Sequence, residues 1–142
     1  MLIDANLLVY AVTRSASQHR AAAAWLHGAL TGERRVGLPW ESLLGVVRIT
    51  TNPRIYSRPV GPDDAWSLID DWLALPTVWI PQPTEQHSVV LGSLIRNHHL
   101  GGDLVPDAHL AAIAIEHGLE VYSADTDFAR FTEVRWVNPI AA

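Results

Sequence analysis

Cysteine is absent from the 142 residues. That excludes disulfides, a thiolate metal site and a cysteine nucleophile, and it fits a reducing compartment. Lysine is absent as well, so all ten basic side chains are arginine. Arginine suits phosphate forks, although coding bias gives the same composition. No apolar run approaches the length of a membrane span. The opening Met1-Leu2-Ile3-Asp4 lacks the basic segment of a signal peptide, so the expected address is the cytoplasm, with no membrane partner. No repeat, low-complexity tract or linker divides the chain. One domain over residues 1–142 is expected, long enough to bury a core without staples.

A surplus of positive charge is also missing: the net charge is −5. Alone, that speaks against a nucleic-acid partner. Yet Asp4, Glu41, Asp107, Asp125 and Asp127 carry as many negative charges as the whole surplus. A site that binds divalent cations would offset most of its own acid, so the balance is weak testimony against RNA.

Local signals predict twelve alternating elements. Met1–Ile3 is a short strand and Ala5–Val12 a short helix or turn. Ser15 with Gln18 resembles a capping box ahead of a helix over Ala21–Leu30, which Gly32 closes. Arg35–Leu38 is a strand. A helix over Glu41–Thr51 stops at Asn52-Pro53, and residues 52–61 form a loop. Pro62-Asp63-Asp64 opens a helix whose Trp66, Ile69 and Leu73 make one apolar face. Asp63, Asp64, Asp70 and Asp71 make the solvated face. Thr77–Ile80 is a strand, and Thr84 caps a helix to about His98. Pro106 starts a helix to about His117, with Gly118 at its end. Leu119–Ser123, a helical turn at Asp127–Phe131 and a strand at Val134–Val137 follow. Strands alternating with helices imply a mainly parallel sheet covered on both faces.

Four carboxylates stand beside short apolar runs: Asp4, Glu41, Asp107 and Asp125, with Asp127 two residues beyond the last. Such positions are poorly placed for a core. They are well placed to converge at the mouth of a parallel sheet. A single acid after a strand is ordinarily a helix cap; four at the edges of separate βα units are not so simply explained. Converged carboxylates call for a hard divalent cation, magnesium or manganese, as one or two ions. Such a site suits phosphodiester hydrolysis. Asn6 is a candidate to orient a water or its neighbouring acid, or to cap the first helix. Ser123 is a candidate to hydrogen-bond a ligand. Asp103 follows two glycines and is taken as a loop acid.

Arg48 lies seven residues from Glu41, two helical turns, so it shares that face and is a candidate RNA contact. Arg54 and Arg58 sit on the proline-rich loop. His98-His99 make a poor chelate, and His109 points about 200° from Asp107 on the helix; surface or structural roles are expected for the histidines. Trp25, Trp66 and Trp72 are expected in the core or a dimer interface, and Trp40 has no assignable role.

Leu2-Ile3-Asp4-Ala5-Asn6, Pro39-Trp40-Glu41, Pro106-Asp107-Ala108-His109-Leu110-Ala111-Ala112 and Tyr122-Ser123-Ala124-Asp125-Thr126-Asp127-Phe128 together resemble the PIN-domain family. More closely, they resemble the VapC toxins of bacterial toxin–antitoxin pairs, in order and across essentially the whole chain. The resemblance implies a single-domain three-layer α/β/α sandwich and a magnesium- or manganese-dependent endoribonuclease acting on structured transfer or ribosomal RNA. It puts the family's acidic quartet on Asp4, Glu41, Asp107 and Asp125, its fifth acid on Asp127 and its Ser/Thr position on Ser123. It further implies a homodimer and a VapB-type antitoxin. Two alternatives stand beside it. An aspartyl-phosphate phosphotransferase also places an acid after the first strand, but a second acid is usual where Asn6 stands, and the lysine it needs is missing. A catalytically silent RNA- or antitoxin-binding module on the same fold would not need the intact quartet.

Overall fold

Leu2 and Ile3 are consecutive strand residues, so their side chains leave opposite faces. Leu2 enters a core with Val121, Leu94, Ala108, Ala111, Ile113 and Phe128. Ile3 enters a second core with Tyr122, Leu7, Leu26, Val36, Leu43, Ile69 and Trp72. One sheet between two helical layers follows from that division.

The computed structural model describes residues 1–141. Its elements are β1 (Leu2–Ile3), α1 (Ala5–Val12), α2 (His19–Thr31), β2 (Val36–Gly37), α3 (Trp40–Thr50), α4 (Pro62–Leu73), β3 (Val78–Trp79), α5 (His87–His98), α6 (Leu104–His117), β4 (Val121–Tyr122), a 3-10 turn (Thr126–Arg130) and β5 (Trp136–Val137). The sheet order is β3-β2-β1-β4-β5, with every pairing parallel. Helices α1 to α4 supply the core of one face, and α5 and α6 that of the other. This is the predicted α/β/α sandwich. From β1 the chain builds outward to β2 and β3, then returns to place β4 on the other flank of β1. The β1/β4 junction is therefore the switch point of the sheet, where ligand crevices form.

The regular strands are two residues each, shorter than the sequence pattern suggests. Bonds such as Asp4 N–H to Tyr122 O at 3.0 Å and Ser123 N–H to Val137 O at 3.1 Å carry the pairing further. The expected capping box at Ser15 and Gln18 does not form. Turns closed by Ala16 and His19 N–H occupy this stretch, and Gln18 enters α2 in helical conformation without a side-chain cap. Helix α5 starts at His87, preceded by a turn in which Thr84 Oγ1 accepts from Gln86 N–H at 3.1 Å; the Thr84 amide and hydroxyl also donate to Glu116. On α4 the buried face is Ala65, Ile69 and Trp72. Trp66 lies one residue, 100°, off that face and is 42% exposed, so it is not in the core, one of the two places expected for it. The four aspartates of α4 are exposed as predicted.

One close approach ties the fold to its chemistry. On α3, a Cβ added to Gly45 would stand 2.8 Å from Ala5 Cβ on α1. Glycine there lets two helices meet whose N-termini carry Glu41 and Asp4. Gly45→Leu is expected to lower stability by about 1–3 kcal/mol through overpacking, read by urea denaturation.

Candidate functional site

Four helical N-termini point into one edge of the sheet, and an acid stands at each. Asp4 caps α1, Glu41 and Asp107 sit in the first turns of α3 and α6, and Asp125 caps the 3-10 turn. The partial positive charge of a helix N-terminus favours an anion there. Asp4, Glu41, Asp107 and Arg48 line a single cleft of about 160 Å³ together with Ala5, Ser42, Gly45, Pro106 and Leu110. Asp107, Asp125 and Asp127 each offer an oxygen within 4.8 Å of the others. Asp107 belongs to both groups, so the five acids form one continuous cluster.

Ser123 ties the switch point together. Its fully buried hydroxyl donates to Asp4 Oδ2 at 2.8 Å. It accepts from Asn6 Nδ2 at 3.1 Å and from Asp125 N–H at 3.0 Å. Asn6 Oδ1 accepts from Ala124 N–H at 3.2 Å. Ser123 thus gives its one proton to Asp4 and supports that acid from the core. Among the described residues, Asn6 reaches its neighbouring acid through Ser123. Asp4 Oδ1 accepts from Ala5 N–H at 2.8 Å. Ser123→Ala would strand Asn6 Nδ2 and one Asp4 oxygen, an expected loss of about 1–3 kcal/mol by chemical denaturation.

The electrostatics are those of a crowded anion site. Burial and then repulsion from Asp125, Asp4 and Asp127, against weaker help from Arg130, push the Asp107 carboxyl up to about 7. Burial also raises Asp4, with Asp125 adding to it and the Ser123 and Ala5 hydrogen bonds opposing it. Asp127 lies in the first turn of the 3-10 helix, and its amide donates to the capping Asp125 Oδ1 at 2.8 Å. Its carboxylate meets Arg130 at 3.4 Å.

Glu41 is anchored differently. Its Oε1 lies 2.8 Å from His109 Nε2. His109 Nδ1 lies 2.8 Å from His87 Nε2, and His87 Nδ1 contacts Glu116 Oε2. Glu116 also accepts from Thr84 N–H at 2.8 Å and Thr84 Oγ1 at 2.6 Å. Burial draws the Glu116 carboxyl upward, but these hydrogen bonds outweigh it and leave the group below its ordinary value. With both end carboxylates ionised, filling all three bonds takes three hydrogens on four ring nitrogens, one positive charge across the two rings. His109, expected in a surface or structural role, therefore links Glu41 to His87 and the Glu116 behind it. Its angle from Asp107 on α6 has no bearing on this contact, because its partner Glu41 is on α3. One signal was legible: His109 and Glu116 are seven residues apart and share a face of α6.

The remaining candidates separate cleanly. Arg48 lines the acidic cleft, whereas Arg58 lines another, of about 510 Å³, with Arg14 and Tyr56. Asp103 precedes α6 and is exposed, outside the cluster. His98 pairs with Glu133 at 2.8 Å. Trp72 is buried and Trp25 stacks on Tyr122 at 5.5 Å. Trp40 stacks on Trp66 at 6.4 Å between centroids, both part exposed. No helix of the described residues is long and apolar enough to cross a membrane.

Comparison with known proteins agrees with this geometry. The model of the PIN domain matches residues 1–134. Ribonuclease VapC37 of Mycobacterium tuberculosis is 41% identical over 140 residues, covering 99% of this chain and 97% of the relative. Ribonuclease VapC33 of the same species is 36% identical over 137 residues, covering 96% of each. Among solved structures, VapBC2 from Rickettsia felis bound to a DNA fragment from its promoter superimposes with a TM-score of 0.69. It covers 96% of both chains at 15% identity, a likeness of fold.

Proposed function

The chain belongs to the PIN-domain family, with relatives named as VapC ribonucleases, and from that premise we propose that it is a magnesium- or manganese-dependent endoribonuclease, the toxin of a VapBC pair. The observation that carries the proposal is the convergence of Asp4, Glu41, Asp107, Asp125 and Asp127 at one sheet edge. The donor set is all carboxylate oxygen, which fits hard magnesium or manganese. Asp107, pushed up to about 7 by its neighbours, marks a place where bound positive charge would relieve repulsion.

Asp4, Glu41, Asp107 and Asp125 would hold one or two such ions, with Asp127 in support. When bound, the ions would supply an activated water and stabilise the charge building on a phosphodiester. Ser123, steadied by Asn6, fixes Asp4. Arg48, whose helix brings it into the same cleft, would meet an RNA phosphate. Structured RNA, transfer or ribosomal, is the proposed substrate. A VapB-type antitoxin is the proposed protein partner, supported by structural neighbours that are toxin–antitoxin complexes. A homodimer is proposed as well; exposed Leu44, Trp66 and Ile55 are apolar surface available to it.

The test is cleavage of structured RNA by the purified chain. Cleavage should require magnesium or manganese, stop with chelator and disappear in Asp4→Asn. Cleavage that persists in chelator would refute the metal-dependent mechanism. Binding of RNA or antitoxin with no cleavage would favour the silent-module alternative. Arg48→Ala is expected to weaken RNA binding at all sequences alike and reduce the salt slope by about one, measured by filter binding. Unchanged affinity and cleavage would remove Arg48 from the interface.

A further inference from the structure

We propose that His109, aligned from behind by His87 and Glu116, is a positioning residue that holds the Glu41 carboxylate at the metal cluster. This rests on the assignment of Glu41 as a metal ligand.

Glu41 needs such help more than Asp4 and Asp125 do. Asp4 and Asp125 are short side chains fixed by local hydrogen bonds. Glu41 has one more rotatable bond, its side chain is 42% exposed, and its hydrogen-bond partner among the described residues is His109. A long side chain free at a helix start loses rotamer entropy when it binds an ion. Holding it beforehand removes that cost from binding.

The chain behind His109 is built to aim it. Each ring has two nitrogens, and all four are engaged. The rings cross edge-on, at 87° with centroids 4.8 Å apart. At the far end the Glu116 side chain is only 1% exposed. A buried carboxylate is costly unless its oxygens are satisfied, and Thr84 and His87 satisfy them. The path also links layers: Glu41 is on α3 over one face of the sheet, and His87, His109 and Glu116 are on α5 and α6 over the other. A bond between His87 and Glu116 alone would staple α5 to α6. Extending it through a second ring to an acid of the cluster serves the position of that acid. Partners behind a ligand commonly matter to metal affinity nearly as much as the ligand does.

The experiment is calorimetric titration of the full chain with manganese chloride, at one pH and without RNA. Wild type is compared with His109→Ala, His109→Gln, His87→Phe, Glu41→Ala and the Glu41→Ala doubles with each histidine change. Metal-free melting checks folding, with His87→Asn in reserve if His87→Phe does not fold. His109→Ala and His87→Phe should each weaken manganese by about tenfold. His109→Gln, whose amide still donates, should recover part of the loss. Neither histidine change should add to the loss from Glu41→Ala. Equal further weakening in the Glu41→Ala background would reduce the path to a staple and overturn the proposal. Unchanged affinity in the single variants would also overturn it. If Glu41→Ala binds too weakly to titrate, the glutamine variant decides: recovery supports positioning and no recovery overturns it. A wild type that binds no manganese removes the metal site and this inference together. A wild type that binds regardless of the histidines removes the inference alone.

Discussion

Asp107→Asn is expected to stabilise the metal-free protein while nearly abolishing RNA cleavage. Both effects come from the same crowding. Burial and three neighbouring acids push the Asp107 carboxyl up to about 7, so near neutral pH the fold is strained by a charge it holds reluctantly. Asparagine keeps the shape and removes the charge. Because the group is partly exposed, the gain is discounted for solvent screening to about 1–2 kcal/mol, visible in urea denaturation with chelator present. Losing a ligand of a divalent site should cost several kcal/mol of transition-state stabilisation, on the order of a hundredfold or more in rate. A merely structural Asp107 would give the reverse pattern: a less stable variant that still cuts RNA.

The second large effect is the coupling of pH, metal and stability. In the folded state the Asp107 carboxyl is pushed up to about 7, well above its ordinary value of 3.8, and burial raises Asp4 the same way. Between those limits the folded state binds more protons than the unfolded state, so stability falls as pH rises. It is fully present below about pH 4 and lost through about pH 7. The lowered carboxyls of Glu116, Glu120 and Glu133 act in another window. Their contribution is present above the ordinary glutamate range and lost as pH falls through and below it. With chelator, the melting temperature should therefore drop by several degrees from about pH 5.5 to about pH 8. Millimolar magnesium or manganese should restore it, most at the alkaline end, by binding the folded state. A flat chelator profile with no response to metal would count against a multi-carboxylate site.

Much of the site was legible because its signals are local. Asp4 follows a three-residue apolar run, Asp107 follows Pro106 in a helical first turn, and Asp125 and Asp127 follow the Val121-Tyr122 strand. Each could be assigned to the same sheet edge before any contact was known. The element order was legible for a similar reason, since proline, glycine and period mark the boundaries. What failed was finer. Ala65, Ile69 and Trp72 fit the helical period as well as Trp66, Ile69 and Leu73 do, and an alanine scarcely registers as core. Ser15 and Gln18 have the spacing of a capping box, but the turns in which they lie set the helix start. Ser123 was seen as polar and near the acids, yet its partner Asp4 is 119 residues away. His109 and His87 were missed because their contacts join three helices, and no spacing along one helix reports that.

Anomalous scattering from crystals grown with manganese tests the metal site most directly. A peak within ligand distance of the Asp4, Asp107 and Asp125 carboxylates is expected, with Glu41 facing it and His109 still at the back of Glu41. Manganese found only at other surface acids, in a protein that nonetheless cleaves RNA, would contradict the assignment of these converged carboxylates as the catalytic centre.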